Sequence, residues 1–350
     1  MSAVGFVSHS YSIHCQSARL ALCNAARRCC SLTSGSALVT ALKIVSCAML
    51  IIPAIVFIAR FVITTNLRYS KALDAFCKKH SAFSGLLQKA QDLVAVENFN
   101  PLWRTDIATR IVYVGKDLHG GNQLFIKTPG GKRVLDRQPR AKNEQLAFLI
   151  SHRLSLGVVP PTMTLEGYRN EIESIFPRSI LKQLKIGCDP NTHQNSYEGV
   201  IIQEGILLEQ DQRNFDRNAL DLRQIQKAVI FNLITGRGDA CRHNTVIAQG
   251  GKIMELDNER LGQRLSSDSW LLSDFAEMAF SVEVIESFLS QPIQTVRTIF
   301  AEMEVFHFDQ ETKVNITGNF DQIREFFNLR KDTQIVVQEL IAFLAECIPK

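Results

Sequence analysis

The stretch that decides the fold reads Gly236-Arg-Gly-Asp-Ala-Cys-Arg-His-Asn244, and it is followed by Met254-Glu-Leu-Asp-Asn-Glu259. Asp239 and Asn244 are five positions apart, and Asp257 follows Asp239 by 18 positions. Phosphoryl transfer needs a carboxylate beside the attacking hydroxyl, and an amide and a second carboxylate that hold metal on the ATP phosphates. The two stretches supply all three groups in that order.

The residues around these motifs predict how the three groups come together. Residues 222–233 have apolar side chains at helical spacing, which predicts an amphipathic helix that ends just before the first motif. Thr245–Ala248 and Lys252–Leu256 flank Gly250-Gly251, which predicts a hairpin between the two motifs. Because a hairpin returns the chain to its starting point, we expect Asp239 and Asp257 at the same end of a cleft.

The chain before residue 221 has a different texture. Ile111–Val114, Leu124–Lys127 and Arg133–Leu135 are short apolar runs separated by glycine-containing turns, which predicts an antiparallel meander. Lys142–Leu156 has the apolar spacing of a helix, and Gly199–Glu204 is typical of a strand. A strand-rich half followed by a mostly helical half predicts two lobes with a cleft between them.

These motifs resemble the protein-kinase-like superfamily, and most closely its phosphatidylinositol 3-/4-kinase-like branch. Kinases of that branch carry G-x-G-D-R-H-x-x-N followed by D-F-G or D-N-G. The resemblance implies that Asp239 is the catalytic aspartate and that Asn244 and Asp257 are metal ligands. It also implies that Lys127, in Phe125-Ile-Lys127, contacts the ATP phosphates and that Glu144 is its carboxylate partner.

The resemblance also assigns residues to the nucleotide. The turn that contains Gly120 and Gly121 lies where a loop would cover the phosphates, and Gln203 and Glu204 fall in the segment that would pair with adenine. ATP and Mg²⁺ are therefore the expected cofactors. A phosphoinositide or a protein hydroxyl is the expected acceptor, although related folds also transfer nucleotidyl groups.

Two departures from the branch pattern keep an inactive alternative open. Arg242-His243 stand directly before Asn244 rather than directly after Asp239, and Glu259 replaces the glycine of D-F-G or D-N-G. The extra carboxylate adds a metal ligand or indicates a degraded site. The alternative to a kinase is therefore a catalytically inactive pseudokinase that acts as a membrane-tethered binding module. A structural membrane protein with coincidental motifs is a third reading.

Charge is distributed unevenly along the chain. Residues 1–73 contain seven basic residues and no acidic one, so the remainder is net −3 in a chain of net charge +4. The positive charge belongs to this segment rather than to a nucleic-acid-binding face, so no nucleic acid partner is expected. Nine cysteines without a C-x-x-C pair exclude a structural metal of the zinc-finger kind.

Residues 37–65 form an apolar stretch long enough to cross a bilayer as a helix, with no charge between Lys43 and Arg60. A single transmembrane helix that contacts the lipid bilayer is the favoured interpretation. A buried core helix, a signal peptide and, for residues 2–36, a transit peptide are the alternatives. Because ATP and reduced thiols are cytosolic, the catalytic domain is expected to face a cytosol. The arrangement would suit a bacterial protein inserted in a host membrane.

The predicted fold class is therefore α+β: a bilobal protein-kinase-like fold, with a β-rich N-lobe and a helical C-lobe, preceded by a single hydrophobic transmembrane helix. The expected segments are a basic leader at 1–36, the transmembrane helix at 37–65 and a helical spacer at 66–102. The N-lobe is expected at 103–205 and the C-lobe at 206–350.

Overall fold

The computed structural model describes residues 68, 70–87, 89, 99–104, 111–116, 123–127, 134–175, 200–206, 220–238, 240–263, 269–331 and 333–347. These residues form a mixture of helices and short strands. The strands are β1 (Phe99–Arg104), β2 (Ile111–Lys116), β3 (Gln123–Lys127), β4 (Thr162–Thr164), β5 (Ile201–Glu204), β6 (Thr245–Ala248) and β7 (Lys252–Glu255). The helices named below are α1 (Val134–Arg153), α2 (Arg169–Ile175), α3 (Leu222–Thr235), α4 (Trp270–Asp274), α5 (Val282–Leu289), α6 (Thr295–Glu302), α7 (Gln310–Leu329) and α8 (Val337–Glu346).

Five antiparallel strands form one sheet in the order β1-β2-β3-β5-β4. The register of β3 and β5 sets Lys127 opposite Ile201, at the end of β3. On the other side of β5, Met163 lies opposite Ile202, and both side chains are fully buried. The prediction of strands at Ile111–Val114 and Leu124–Lys127 is confirmed, within β2 and β3.

Helix α1 packs against β4 and carries one apolar face into the core. Leu146, Leu149, Ile150 and Leu154 are all buried, as the helical spacing at Lys142–Leu156 predicts. The predicted strand at Arg133–Leu135 is wrong, because α1 begins at Val134. Past the helix, Gly157 adopts a positive φ of 66° and Pro160-Pro161 follow, so the chain leaves the helical direction and enters β4.

The residues before the sheet are helical at 70–79 and 84–87, as predicted, and they pack on α1 rather than standing apart. Phe83 contacts the ring of Phe148, with 5.8 Å between centroids, and Phe76 meets the edge of Tyr168 at 5.4 Å. Because Phe76 and Phe83 are almost wholly buried, these residues belong to the main core.

Helix α7 organises the second half of the chain, since it contacts α3, α5, α6 and α8. Its Phe320 and Phe327 pack edge-on against Phe288 of α5, at centroid distances of 5.5 and 5.8 Å. Its buried Asn319 donates through Nδ2 to the Leu233 carbonyl at 3.0 Å, near the end of α3. The predicted helical character of this half and the predicted hairpin, now β6–β7, are both confirmed.

The predicted fold class is wrong. The described residues are mixed helix and strand with only small sheets, not a β-rich N-lobe behind a transmembrane helix. The reason is that each strand in the sheet is only three to six residues long, while a helix of 20 residues fills 134–153.

The predicted single-pass membrane localisation, with a domain facing a cytosol, is also overturned. Among the described residues, no helix combines the length and the apolarity that crossing a membrane requires. The longest helices for which bounds are given above, α1 and α7, have 20 residues each and carry charged side chains along their length. The leader at 1–36 and the apolar stretch at 37–65 lie outside the described residues.

Candidate functional site

The β6–β7 hairpin places Asn244 and Asp257 at its open end. Thr245 pairs with Glu255 in the ladder, and one step further the Leu256 amide donates to the Asn244 carbonyl at 2.6 Å. Asp257 then adopts a left-handed backbone with φ of 58°. Residues other than glycine rarely take this conformation, and such positions cluster at functional sites because the surroundings must hold them.

The loop that leads to Asp239 begins where α3 ends. Gly236 is the left-handed C-cap, with φ of 53°, and its amide donates to the Asn232 carbonyl at 3.0 Å. A Cβ at Gly236 would overlap the carbonyl oxygen of Gln263, so glycine is required there by space as well as by φ. The Gly238 amide donates to the Arg260 carbonyl at 2.9 Å. The loop is therefore pinned to the chain that follows Glu259.

Three carboxylates lie close together beside this loop and the end of the hairpin. The ligand oxygens of Glu144 from α1, Asp257 and Glu259 all lie within 4.8 Å of one another. Glu144 and Glu259 are buried, and Asp257 is half-buried. Negative charge held this closely in a partly desolvated site is unfavourable unless a cation offsets it.

Side chains of helix α1 also contact Glu259 directly. Asn143 donates through Nδ2 to the Glu259 carbonyl at 2.7 Å, and Arg140 Nη1 lies 3.5 Å from Glu259 Oε2. Lys142, which lies between them in the sequence, instead donates to the carbonyls of Phe306 and His307 at 3.3 and 3.2 Å. Burial lowers the pKa of Lys142, which the nearby charge of Asp309 opposes. These contacts fix the position of Glu144.

The cluster fits Mg²⁺ by its donors. Mg²⁺ prefers oxygen ligands at about 2.1 Å in an octahedron, so two oxygens bound to one ion are at most about 4.2 Å apart. The limit of 4.8 Å in this cluster is slightly larger. Carboxylate oxygens are the ligand type that Mg²⁺ takes, usually through one or two carboxylates with water at its other positions.

The other predicted site residues are placed as follows. Lys127 ends β3, and its backbone pairs opposite Ile201. Gln203 is buried and donates through Nε2 to Thr162 Oγ1 at 2.9 Å, and Glu204 forms an ion pair with Lys89. Gln203 and Glu204 lie on β5, and neither residue belongs to the acidic cluster. Gly120, Gly121 and Asp239 lie outside the described residues.

Arg242, whose position departs from the kinase pattern, contacts helix α4. Its guanidinium forms an ion pair with Asp274 and lies over the Trp270 ring, 5.2 Å from the centroid. The Trp270 indole in turn donates to Thr245 Oγ1 at 3.1 Å. Arg242 thus anchors α4 to the hairpin.

Sequence reasoning missed Arg237 and Glu255, which form a fully buried ion pair between the loop and β7. A signal was present in the strand Lys252-Ile-Met-Glu255. Ile253 and Glu255 are two positions apart and share the inward face of β7, so a charged residue on that face requires a buried partner.

Compared with known proteins, the chain matches no family model and no curated protein. The resemblance to lipid kinases therefore rests on its motifs.

Proposed function

We propose that this protein is an ATP- and Mg²⁺-dependent phosphotransferase of the lipid-kinase-like type, which phosphorylates a hydroxyl of a phosphoinositide or of a protein. One observation carries the proposal: Glu144 and Asp257, chosen from motifs more than a hundred residues apart, have ligand oxygens within 4.8 Å of each other. The hydrogen bond from the Leu256 amide to the Asn244 carbonyl supports it, because it brings the backbone of Asn244 close to the backbone that leads into Asp257.

In this proposal each residue has a defined task. Asp239 orients the acceptor hydroxyl and takes its proton as the oxygen bonds to the γ-phosphorus and the bond to ADP breaks. Asn244 and Asp257 would hold Mg²⁺, which when bound neutralises negative charge on the phosphates. Glu144 orients Lys127, whose ammonium contacts the same phosphates.

The test is binding of ATP with and without Mg²⁺, measured by calorimetry on the full chain. We expect Mg²⁺-dependent binding in the wild type and a loss of at least about 100-fold in Asp257→Ala, because a metal ligand is removed. Asp321→Ala, which removes an exposed partner of Arg297, is the matched control and should bind like the wild type. Unchanged ATP affinity in Asp257→Ala would sink the proposal.

The acceptor is identified by a second assay. Labelled ATP is incubated with the wild type and either phosphoinositide vesicles or a panel of proteins. Label in lipid favours a lipid kinase, and label in protein favours a protein kinase. Asp239→Asn should abolish either product, since the proton acceptor is lost.

A second candidate is an inactive pseudokinase that binds nucleotide without transferring phosphate. Glu259 favours it, because its carboxylate joins the cluster where the branch has a glycine, and Arg140 and Asn143 hold the residue there. A rise in melting temperature with Mg²⁺ and ATP, together with no phosphate transfer in either acceptor assay, would support this candidate over the first.

A further inference from the structure

We propose that Arg237 and Glu255 are positioning residues, which hold Asp257 and the loop before Asp239 in one fixed relation. The inference rests on the proposed function, since it concerns the same site. Arg237 lies two residues before Asp239, and Glu255 lies two residues before Asp257. The pair therefore links the two chain segments that carry the predicted catalytic aspartate and a predicted metal ligand.

The contacts of Arg237 reach the backbone that leads into Asp257. Its Nη1 pairs with Glu255 Oε2, and its Nη2 donates to the Leu256 carbonyl. That carbonyl belongs to the peptide bond between Leu256 and Asp257. Because Asp257 has an uncommon left-handed φ, the orientation of the preceding peptide decides where its carboxylate points.

Glu255 is held from several directions, so it is a rigid anchor for Arg237. Thr245 Oγ1 donates to its Oε2 at 3.1 Å, and Asn232 Nδ2 donates to its Oε1 at 3.3 Å. Its backbone amide donates to the Val158 carbonyl at 2.7 Å. These contacts come from β6, α3 and the segment that follows α1. Three parts of the fold therefore hold Glu255, two of them at its carboxylate and one at its backbone.

The backbone around Arg237 is tied down on the opposite side. Gly262 donates to the Thr235 carbonyl at 2.8 Å, and Gln263 donates to the Gly236 carbonyl at 2.9 Å. Residues 235–238 thus lie between the end of β7 and residues 260–263. A change in the Arg237 side chain would move the loop and Asp257 together.

A contribution to stability does not explain why a buried ion pair stands at these two positions. Both side chains have lost their water, with 0% and 1% exposure, and the attraction between buried charges only about offsets that loss. Apolar residues of similar volume would serve a core equally well. An ion pair, in contrast, fixes direction, because a guanidinium donates in set directions within its plane.

The test uses the full chain and compares Arg237→Lys with Arg324→Lys as a matched control. Arg324 also donates to main-chain carbonyls, those of Phe288, Leu289 and Gln291, but at the end of α5. For each variant we measure kcat, KM for ATP, melting temperature and the affinity for Mn²⁺ by electron paramagnetic resonance. Mn²⁺ serves as the visible probe for a Mg²⁺ site.

For Arg237→Lys we expect Mn²⁺ affinity and kcat to fall by about 10- to 100-fold, the range seen when groups behind a metal ligand are lost. KM for ATP should change less. Arg324→Lys should lower the melting temperature and leave Mn²⁺ affinity and kcat unchanged. Thr245→Val keeps both charges but removes the hydrogen bond from Thr245 to Glu255, together with the one that Trp270 donates to Thr245. It should show a smaller loss of the same kind, even if Arg237→Lys does not fold.

Normal Mn²⁺ affinity and kcat in both Arg237→Lys and Thr245→Val, with only a lower melting temperature, would overturn the inference and leave the proposed function standing. Wild-type protein that binds neither Mn²⁺ nor Mg²⁺ with ATP would overturn the proposed function and this inference with it. The two failures are distinguishable, because only the second one is seen in the wild type.

Discussion

Two regions of the molecule are held together by different forces. In the junction of residues 232–263, buried polar groups such as Arg237 and Glu255 direct the backbone through hydrogen bonds. In the region of α5 to α8, aromatic side chains such as Phe288 and Phe327 pack edge-on against one another. In the first region directional hydrogen bonds fix the backbone, and in the second region burial of apolar side chains stabilises the packing.

The difference shows that one region mainly stabilises the fold and the other mainly orients the side chains of the candidate site. Apolar packing is strong but not directional, so α5 to α8 can stabilise the fold without deciding the angle of any carboxylate. Hydrogen bonds contribute less net free energy but fix orientation. The two regions touch where Asn315 of α7 donates to the Gly262 carbonyl at 2.8 Å. Substitutions in the two regions should therefore affect different measurements.

The largest effect on stability should come from Phe327→Ala. Phe327 is fully buried, and truncation leaves a cavity, so the free energy of unfolding should fall by about 3–5 kcal/mol. Leu329→Ala on the same helix is the control, because Leu329 is 72% exposed and should change stability little. Urea unfolding measures both. Equal losses in the two variants would break the comparison, since burial would then not explain the stability of this region.

Gly236→Ala should have a smaller effect on stability but a direct effect on the site. A left-handed alanine costs about 1–2 kcal/mol, and the overlap with Gln263 adds about as much, for a total of about 3 kcal/mol. Gly250→Ala is the matched control, because Gly250 also has a positive φ of 80° but has nothing described within 4 Å of a Cβ.

The two glycine variants sharpen the comparison when unfolding and Mn²⁺ binding are measured together. The control should lose only about 1 kcal/mol and keep its Mn²⁺ affinity. Similar losses of stability in both variants would show that the contact with Gln263 does not constrain the loop.

The smallest effect concerns Tyr168, where the residues at 70–87 meet α1. Burial raises the pKa of Tyr168 to about 12, although a hydrogen bond from Gln145 opposes this. Because the folded pKa lies above the unfolded value of 10, the contribution is complete below pH 10. It is lost as the pH rises from 10 to about 12, by up to about 2–3 kcal/mol.

Unfolding in urea at pH 9, 10 and 11 checks this prediction for the wild type and Tyr168→Phe. The free energy of unfolding of the wild type, relative to that of Tyr168→Phe, should fall steadily above pH 10. Tyrosine ionises in the unfolded wild type at this pH, whereas phenylalanine does not ionise. A constant difference across this range would show that burial does not raise the pKa of Tyr168 above its unfolded value, and would contradict the prediction.

Much of the local structure followed from patterns in the sequence. The β6–β7 hairpin was predictable because Gly250-Gly251 separates two apolar runs, and α3 because its apolar residues repeat at helical spacing. Errors arose where a pattern was short. Three residues at Arg133–Leu135 are too few to show a period, so the pattern predicts a strand where α1 in fact begins.

The candidate site was predictable only in part. Motif order predicted Glu144 and Asp257 in the same cleft, and their ligand oxygens do lie within 4.8 Å of each other. The roles of Glu144 and Asp257, like those of Asp239, Asn244, Lys127, Gln203 and Glu204, stay predictions. Arg237 and Glu255 were missed, because single positions in a motif do not show that two charges are buried against each other.

The sequence by itself determined the hairpin, the helical second half and the apolar faces of α1 and α3, because these depend on neighbours within a few residues. Only the tertiary structure decided that Glu259 joins Glu144 and Asp257, and that Arg237 reaches the carbonyl of Leu256. Those contacts join residues brought together by chain reversal and by packing of α1 against the sheet. Their distances depend on the whole core, which no local pattern contains.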